Sequence, residues 1–158
     1  MTTKPLITCL WFDGQAVDAA HFYADVFSDV KIGDTVLYPD GTPTPGQVMT
    51  IEFEINGQKF VGLNGGPQFK FNESISFQVF CDGQDEVDYY WNALTADGGE
   101  EGPCGWVKDK FGLSWQVIPE QFADYVTGPD PAGAQRATQA MFGMKKLDVE
   151  ALRKAYEG

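Results

Sequence analysis

A chain of 158 residues, 43% hydrophobic and 14% aromatic, has material for a sizeable core, in one domain or in two half-domains that share it. Eleven Lys and Arg against 23 Asp and Glu leave a net charge of −12 with the lone histidine neutral, and the densest basic spot, Lys145-Lys146, has only two charges. Such a chain repels a phosphate backbone and an anionic bilayer surface, so neither nucleic acid nor membrane is expected as a partner.

The first strand-like run, LITCLWF, predicts a strand over about 6–12. Asp13-Gly14-Gln15 marks a turn, and a helix comes next over about 15–27. There Ala16, Ala19, Ala20, Tyr23, Val26 and Phe27 fall at helical spacing, a stripe that packs on one sheet face. Strands are predicted over about 30–38, 48–55 and 59–64. The first two are separated by YPDGTPTPGQ, whose three prolines and two glycines cannot continue a strand, and the last two by a turn near Gly57.

SISFQVFC then predicts a strand over about 74–81, and a second helix over about 84–97 carries Val87, Tyr90, Trp91 and Leu94 on one face. Strands over about 100–103, 104–109 and 113–118 complete this half. The last two are joined by Asp109-Lys110-Phe111-Gly112, which fits a four-residue turn with Asp first and Gly fourth. Gln116 is the conspicuous residue here, a carboxamide in the middle of an otherwise apolar strand. It is either an exposed position or one that faces something bound. Pro119 ends the strand, and TGPDPAG reads as a linker to a helical tail. In the tail Ala134, Ala137, Ala140, Met141 and Met144 share a face, as do Leu147, Ala151, Leu152 and Ala155.

The second half repeats the first. Asp13-Gly14-Gln15 recurs 69 residues later as Asp82-Gly83-Gln84, at the same strand-to-helix junction, and Phe22 matches Trp91 at the same offset. Gly57-x-x-Phe60 parallels Gly112-x-x-Trp115 at an offset of 55, the difference arising from the longer loop in the first half. The fold class is therefore α+β, two tandem βαβββ modules (about 5–66 and 73–119) with a helical tail (about 120–157), in a single domain over 1–158. Cys9, Cys81 and Cys104 are odd in number and widely spaced, and no leader-like or membrane-spanning apolar run is seen. Both point to reduced thiols in a cytoplasmic protein.

Tandem modules of this kind resemble the vicinal oxygen chelate superfamily, which includes glyoxalase I and bleomycin-resistance proteins. The likeness is greatest to its PhnB-like branch, through LWFDG (10–14), Phe22-Tyr23, LNGG (63–66), FKFNxSISFQV (69–79), CGWxKDKFGxSWQ (104–116) and AMxxMKK (140–146). The resemblance implies a glyoxalase/bleomycin-resistance/dihydroxybiphenyl dioxygenase-like fold whose two curled sheets form a ligand cleft, and a homodimer, which the methionine-bearing tail and the apolar composition also favour. The branch is often labelled 3-demethylubiquinone-9 3-methyltransferase. An adenosyl methyl donor calls for a Gly-rich strand-to-helix loop on a parallel sheet with an acid for the ribose. Asn64-Gly65-Gly66-Pro67 leads into no helix-forming run, and no alternating strand–helix pattern exists.

Metal-dependent members of the superfamily ligate a divalent ion with His, Glu or Gln at four strand positions, which the resemblance carries to Ile7, Val61, Ser76 and Gln116. Only Gln116 is a suitable donor, and shifting the others by one residue gives none better. His21 lies in the first helix, outside the four ligand strands. A cleft without a metal, and no cofactor, is the expectation. Strand parity then sorts the cleft side from the helix-packed side. Leu10, Phe12, Phe77, Val79, Trp115 and Val117 pack on the helices, leaving Cys9, Trp11, Ser76, Gln78, Phe80, Gln116 and Ile118 on the cleft side, with Trp106 and Asn64 nearby.

The ligand-binding set is accordingly Cys9, Trp11, Asn64, Ser76, Gln78, Phe80, Trp106 and Gln116. Aromatic faces mixed with neutral amides suit a small, partly aromatic or planar molecule with a few hydrogen-bonding edges. No Ser–His–Asp set occurs, Asp13 and Asp109 read as turn caps, and Cys104 is either a nucleophile or, with no base in view, an inert thiol. Three readings stand side by side: a binding module that holds its ligand unchanged, a metal-dependent lyase, isomerase or dioxygenase, and a structural protein with a filled cleft. The missing ligands favour the first over the second, and the cost of unpaired buried amides weighs against the third.

Overall fold

A computed structural model describes residues 4–158, in two compact units that divide between Phe71 and Asn72. In the first, β1 (Thr8–Phe12) leads through Gly14, at φ +80°, into α1 (Ala16–Val26). Next come β2 (Val30–Leu37), β3 (Val48–Ile55) and β4 (Gln58–Asn64), and the sheet order is β1-β4-β3-β2. The end strands of the module pair in parallel, Cys9 beside Val61 and Trp11 beside Leu63, while β2–β3 and β3–β4 are antiparallel. The predicted stripe on α1 is the buried one. Ala16, Ala19, Ala20, Tyr23, Val26 and Phe27 are all buried, together with Leu10, Phe12, Ile51, Phe53 and Phe60 of the sheet. Alanines on the helix let it approach closely, and Gly62 fits the same purpose, since a Cβ there would lie 3.0 Å from that of Ala16.

The second unit repeats the plan with β5 (Ser76–Cys81), α2 (Gly83–Thr95), β6 (Glu100–Glu101), β7 (Trp106–Lys108) and β8 (Ser114–Pro119), in sheet order β5-β8-β7-β6. Gln78 pairs with Gln116 and Phe80 with Ile118, again in parallel. Val87, Trp91 and Leu94 of α2 are buried with Val79, Val107, Trp115 and Val117, so the helix covers one face of the sheet and the opposite parity forms the other. The two predicted strands over about 100–109 are shorter than expected. Pro103 to Trp106 form a tight turn closed by Trp106 N–H donating to the Pro103 carbonyl (3.0 Å), with Cys104 at φ +54° and Gly105 at φ +85°. Pro103 has no N–H to return the bond, so Gly102 donates to the Trp106 carbonyl instead (2.8 Å).

The tail contains one helix more than the sequence pattern indicated, the short α3 (Phe122–Val126), before α4 (Pro131–Phe142) and α5 (Val149–Glu157). α4 is capped by Asp130, which accepts from Ala132 and Gly133, and α5 by Asp148, which accepts from Ala151. The tail is tied to its unit by backbone bonds from Cys104 N–H to the Met144 carbonyl (2.8 Å) and Gly105 N–H to the Lys145 carbonyl (2.7 Å). The Gln84 carboxamide adds two more, donating to the Leu147 carbonyl and accepting from Val149 N–H.

The β7–β8 turn has the predicted form, with Gly112 N–H donating to the Asp109 carbonyl (2.8 Å), and it contains more than a turn cap. Asp109 is 2% exposed. Its carboxylate accepts from Phe111 N–H, Leu113 N–H and the Trp115 indole N–H, at 2.9, 3.1 and 2.9 Å. Asp109→Ala leaves three donors without that acceptor. At about 1 kcal/mol for each bond, the variant is expected to lose about 3 kcal/mol in urea unfolding. Asp109→Asn should lose less, because its oxygen can still serve the backbone pair while its NH₂ opposes the indole N–H.

Candidate functional site

The helix-free face of the second sheet is a small grid. Gln78, Gln116 and Trp106 stand in one row across β5, β8 and β7, and Ser76, Ser114 and Lys108 in the next. Phe80 and Ile118 form a third row on the opposite side of the amides. The carboxamides are linked. Gln116 Nε2 donates to Ser76 Oγ at 2.8 Å, and Gln78 Nε2 to Gln116 Oε1 at a long 3.4 Å. Gln116 is half-buried, Gln78 is exposed, and Phe80 is 59% exposed, a large value for a Phe in a strand.

Beside this row lies a recess of about 290 Å³, bounded by Trp106, Pro103, Ser114, Lys108, Glu73 and Glu100. Lys108 Nζ meets the Glu73 carboxylate at 2.5 Å. That contact raises the lysine's pKa and lowers the glutamate's, both at the surface. Ser114 sits at the base, 1% exposed, and its hydroxyl has no hydrogen-bond partner. Sequence reasoning missed Ser114 and Lys108. The signal for Ser114 was parity, since it stands two residues before Gln116 on the same side of the strand.

Three of the candidate residues lie in the first unit. Cys9 is exposed on β1. Trp11 is partly covered by the glycine loop after β4, with its indole N–H donating to the Gly66 carbonyl (2.8 Å) and its ring edge-on to Phe69 at 5.0 Å. Asn64 is taken up by the fold. Its Oδ1 accepts from Ala16 N–H at the start of α1 (2.9 Å), and its Nδ2 donates to the Val48 carbonyl (3.0 Å). Both ends of that amide thus bridge helix and sheet, a role that strand parity alone could not reveal.

Of the other residues the sequence singled out, His21 is exposed on α1. Cys81 is buried, and burial pushes its thiol up to about 12. Cys104 is partly exposed, with Sγ 3.5 Å from the Met141 carbonyl. Ile7 and Val61 carry no donor atoms, while Ser76 and Gln116 hydrogen-bond each other. Among the described residues no group of three or more His, Cys, Asp and Glu is placed to hold a metal ion. No described helix is long and apolar enough to cross a membrane.

Residues 4–118 match the model of the family described as 3-demethylubiquinone-9 3-methyltransferase. No curated protein matches the sequence. Among solved structures, the PhnB protein of Bacillus cereus, which carries the same methyltransferase description, is 28% identical with a TM-score of 0.64, over 73% of this chain and 99% of that one. A Pseudomonas aeruginosa protein is 19% identical with a TM-score of 0.59, over 75% of this chain and 98% of its own. The fosfomycin resistance protein FosX of Listeria monocytogenes, in complex with Mn(II) and sulfate ion, is 20% identical with a TM-score of 0.51, over 74% and 92%.

The glycine loop gives a direct test of how Trp11 is held. A Cβ at Gly65 would come within 2.2 Å of the indole ring. Gly65→Ala is expected to cost roughly 1–3 kcal/mol by overpacking. It should also red-shift tryptophan emission, a shift that disappears when the substitution is made in a Trp11→Phe background.

Proposed function

This chain belongs to the 3-demethylubiquinone-9 3-methyltransferase family, with a fold shared by the vicinal oxygen chelate superfamily, and on that premise we propose that it binds a small, partly aromatic or planar molecule without a metal ion. One observation carries the reading. A hydrogen-bonded chain of side chains, Ser76–Gln116–Gln78, lies on the helix-free face of the second sheet beside the exposed Phe80 and the half-buried Trp106. Amides present donors and acceptors together, so they orient a neutral ligand edge, and the flanking rings bury its faces.

The family's methyltransferase description finds no support in the topology. In both units the helix leads to a strand that is not the parallel neighbour of the one before it. The parallel pair is made instead by the first and last strands of the module. The crevice between successive parallel strands, where an adenosyl donor sits in doubly wound folds, has no counterpart in such sheets.

FosX is solved with Mn(II), which raises the metal-dependent alternative for this chain. The donor set does not fit it. Two of the four positions are the aliphatic Ile7 and Val61, and the other two offer one hydroxyl and one carboxamide, already bonded to each other.

Two measurements test the reading. A thermal-shift screen of small aromatic and heteroaromatic compounds should yield stabilising ligands whose effect falls about tenfold in affinity in Gln116→Leu while the unliganded melting temperature holds. Equal stabilisation of both proteins would remove the site from this face. Calorimetric titration with Mn(II), Zn(II), Ni(II) and Fe(II) should show no stoichiometric binding tighter than micromolar. A submicromolar site abolished by Gln116→Ala would establish the metal-dependent reading instead.

A further inference from the structure

The recess beside the amide row is chemically one-sided. Its wall is apolar, with the Trp106 ring and Pro103, and its rim bears Glu73, Glu100 and Glu101 against Lys108. The lysine is engaged by Glu73 at 2.5 Å, and Glu101 is held by Lys145 at 3.2 Å and by the Trp91 indole N–H at 3.1 Å. Glu100, across the strand pair from Lys108, makes no direct salt bridge among the described residues, and its charge acts on that lysine only at longer range. At the base, the Ser114 hydroxyl is buried without a partner, an arrangement that native proteins rarely leave uncompensated. A carboxylate at the rim with no direct salt bridge, an aromatic wall and an orphan hydroxyl at the floor form a three-point site with a negative sign.

We propose that this recess takes a small aromatic molecule carrying a protonated amine, with its ring against Trp106, its ammonium at Glu100 and a polar ring substituent on Ser114 Oγ. The assignment rests on the small-molecule reading given above and adds the class of ligand. Lys108 does not make the site anionophilic, because two carboxylates, Glu73 at 2.5 Å and Glu100 across the strand pair, outweigh its single charge. The Ser114 hydroxyl can donate or accept, so it suits a phenol or a carbonyl equally.

Three probes that share a phenol ring and differ in charge test the assignment: tyramine, the neutral 2-(4-hydroxyphenyl)ethanol and the acid 3-(4-hydroxyphenyl)propionate. Each is titrated into the full chain and followed by amide and indole N–H shifts. Tyramine is expected to shift Trp106, Ser114 and Gly102 and to bind about three- to fivefold more tightly than the alcohol, with the acid weakest. Glu100→Gln should erase the preference for tyramine over the alcohol. Ser114→Ala should weaken both while leaving the unliganded melting temperature unchanged or raised, because the lost hydroxyl has no partner in the free protein. Equal affinity for the three probes, or a preference for the acid, overturns the charge assignment yet leaves a ligand-binding face. Shifts from a screening hit on Gln78 and Gln116 with none from tyramine in the recess overturn the recess alone. If no compound perturbs any residue of this face, both readings fall together.

Discussion

Each unit is closed by pairing its first strand with its last, in parallel, while a single helix covers one side of the sheet. This constraint decides where polar atoms can stand. A strand end placed beside its opposite number fixes the register of every side chain between them, and period-two alternation sends half of those side chains under the helix. In the second unit the half under the helix is Val79, Trp115 and Val117, and the half on the opposite face is Ser76, Gln78, Ser114 and Gln116. A slip of one residue would bring the carboxamides under α2 and expose Trp115, so the register is enforced by the same burial that forms the core. The carboxylate of Asp109 secures it further, since it holds the turn and the Trp115 indole at once.

The two copies keep this frame and differ in what they place on its open face. The pairing of β1 with β4 maps onto that of β5 with β8 by the offsets of 69 and 55 seen in the sequence. Cys9 with Val61 becomes Gln78 with Gln116, and Trp11 with Leu63 becomes Phe80 with Ile118. Ile7 corresponds to Ser76, and Lys59 to Ser114. On the core side the exchanges are apolar for apolar, Leu10 for Val79 and Phe60 for Trp115, as a shared packing scheme demands. On the open side, neutral hydrogen-bonding groups are concentrated in the second copy. Packing accounts for the first set of exchanges and makes no demand for the second.

Much of this was legible in the residues. The repeat established the element order of both modules, because the same turn recurs at the strand-to-helix junction of each, while the strand pairing came only from the structure. Parity assigned Gln78 and Gln116 to one face and Trp115 and Val117 to the other without error. The features that escaped depended on partners distant in sequence or on the absence of one. Asn64 has the composition of a ligand-binding amide, yet its partners are Ala16 and Val48, 48 and 16 residues away. Pairing of Lys108 with Glu73 had no sequence signature, and parity could place Ser114 on the open face but could not show that no partner reaches its hydroxyl. The break at Cys104-Gly105 was hidden because left-handed backbone at a cysteine is uncommon.

In the proposed recognition, the amide row and the recess would contribute differently. Gln116 and Ser76 already satisfy each other, so a ligand that displaces their bond exchanges one hydrogen bond for another and gains little, whereas an apolar side chain at Gln116 would leave the ligand's own polar edge unpaired at a cost. Such a row selects by pattern, admitting edges that alternate donor and acceptor and rejecting those that do not. The long contact from Gln78 is the weakest link in the row and the one opened at least cost. On the proposed reading, further affinity would come from groups that the free protein leaves unsatisfied or open to solvent: the Ser114 hydroxyl, the Glu100 carboxylate, the exposed Phe80 and the half-buried Trp106. A divalent ion would use none of the aromatic area and would find a hydroxyl and an amide where it needs charged or imidazole donors. An organic molecule spanning the row and the recess would use all of it, which supports the proposed specialisation of the second copy for an organic ligand.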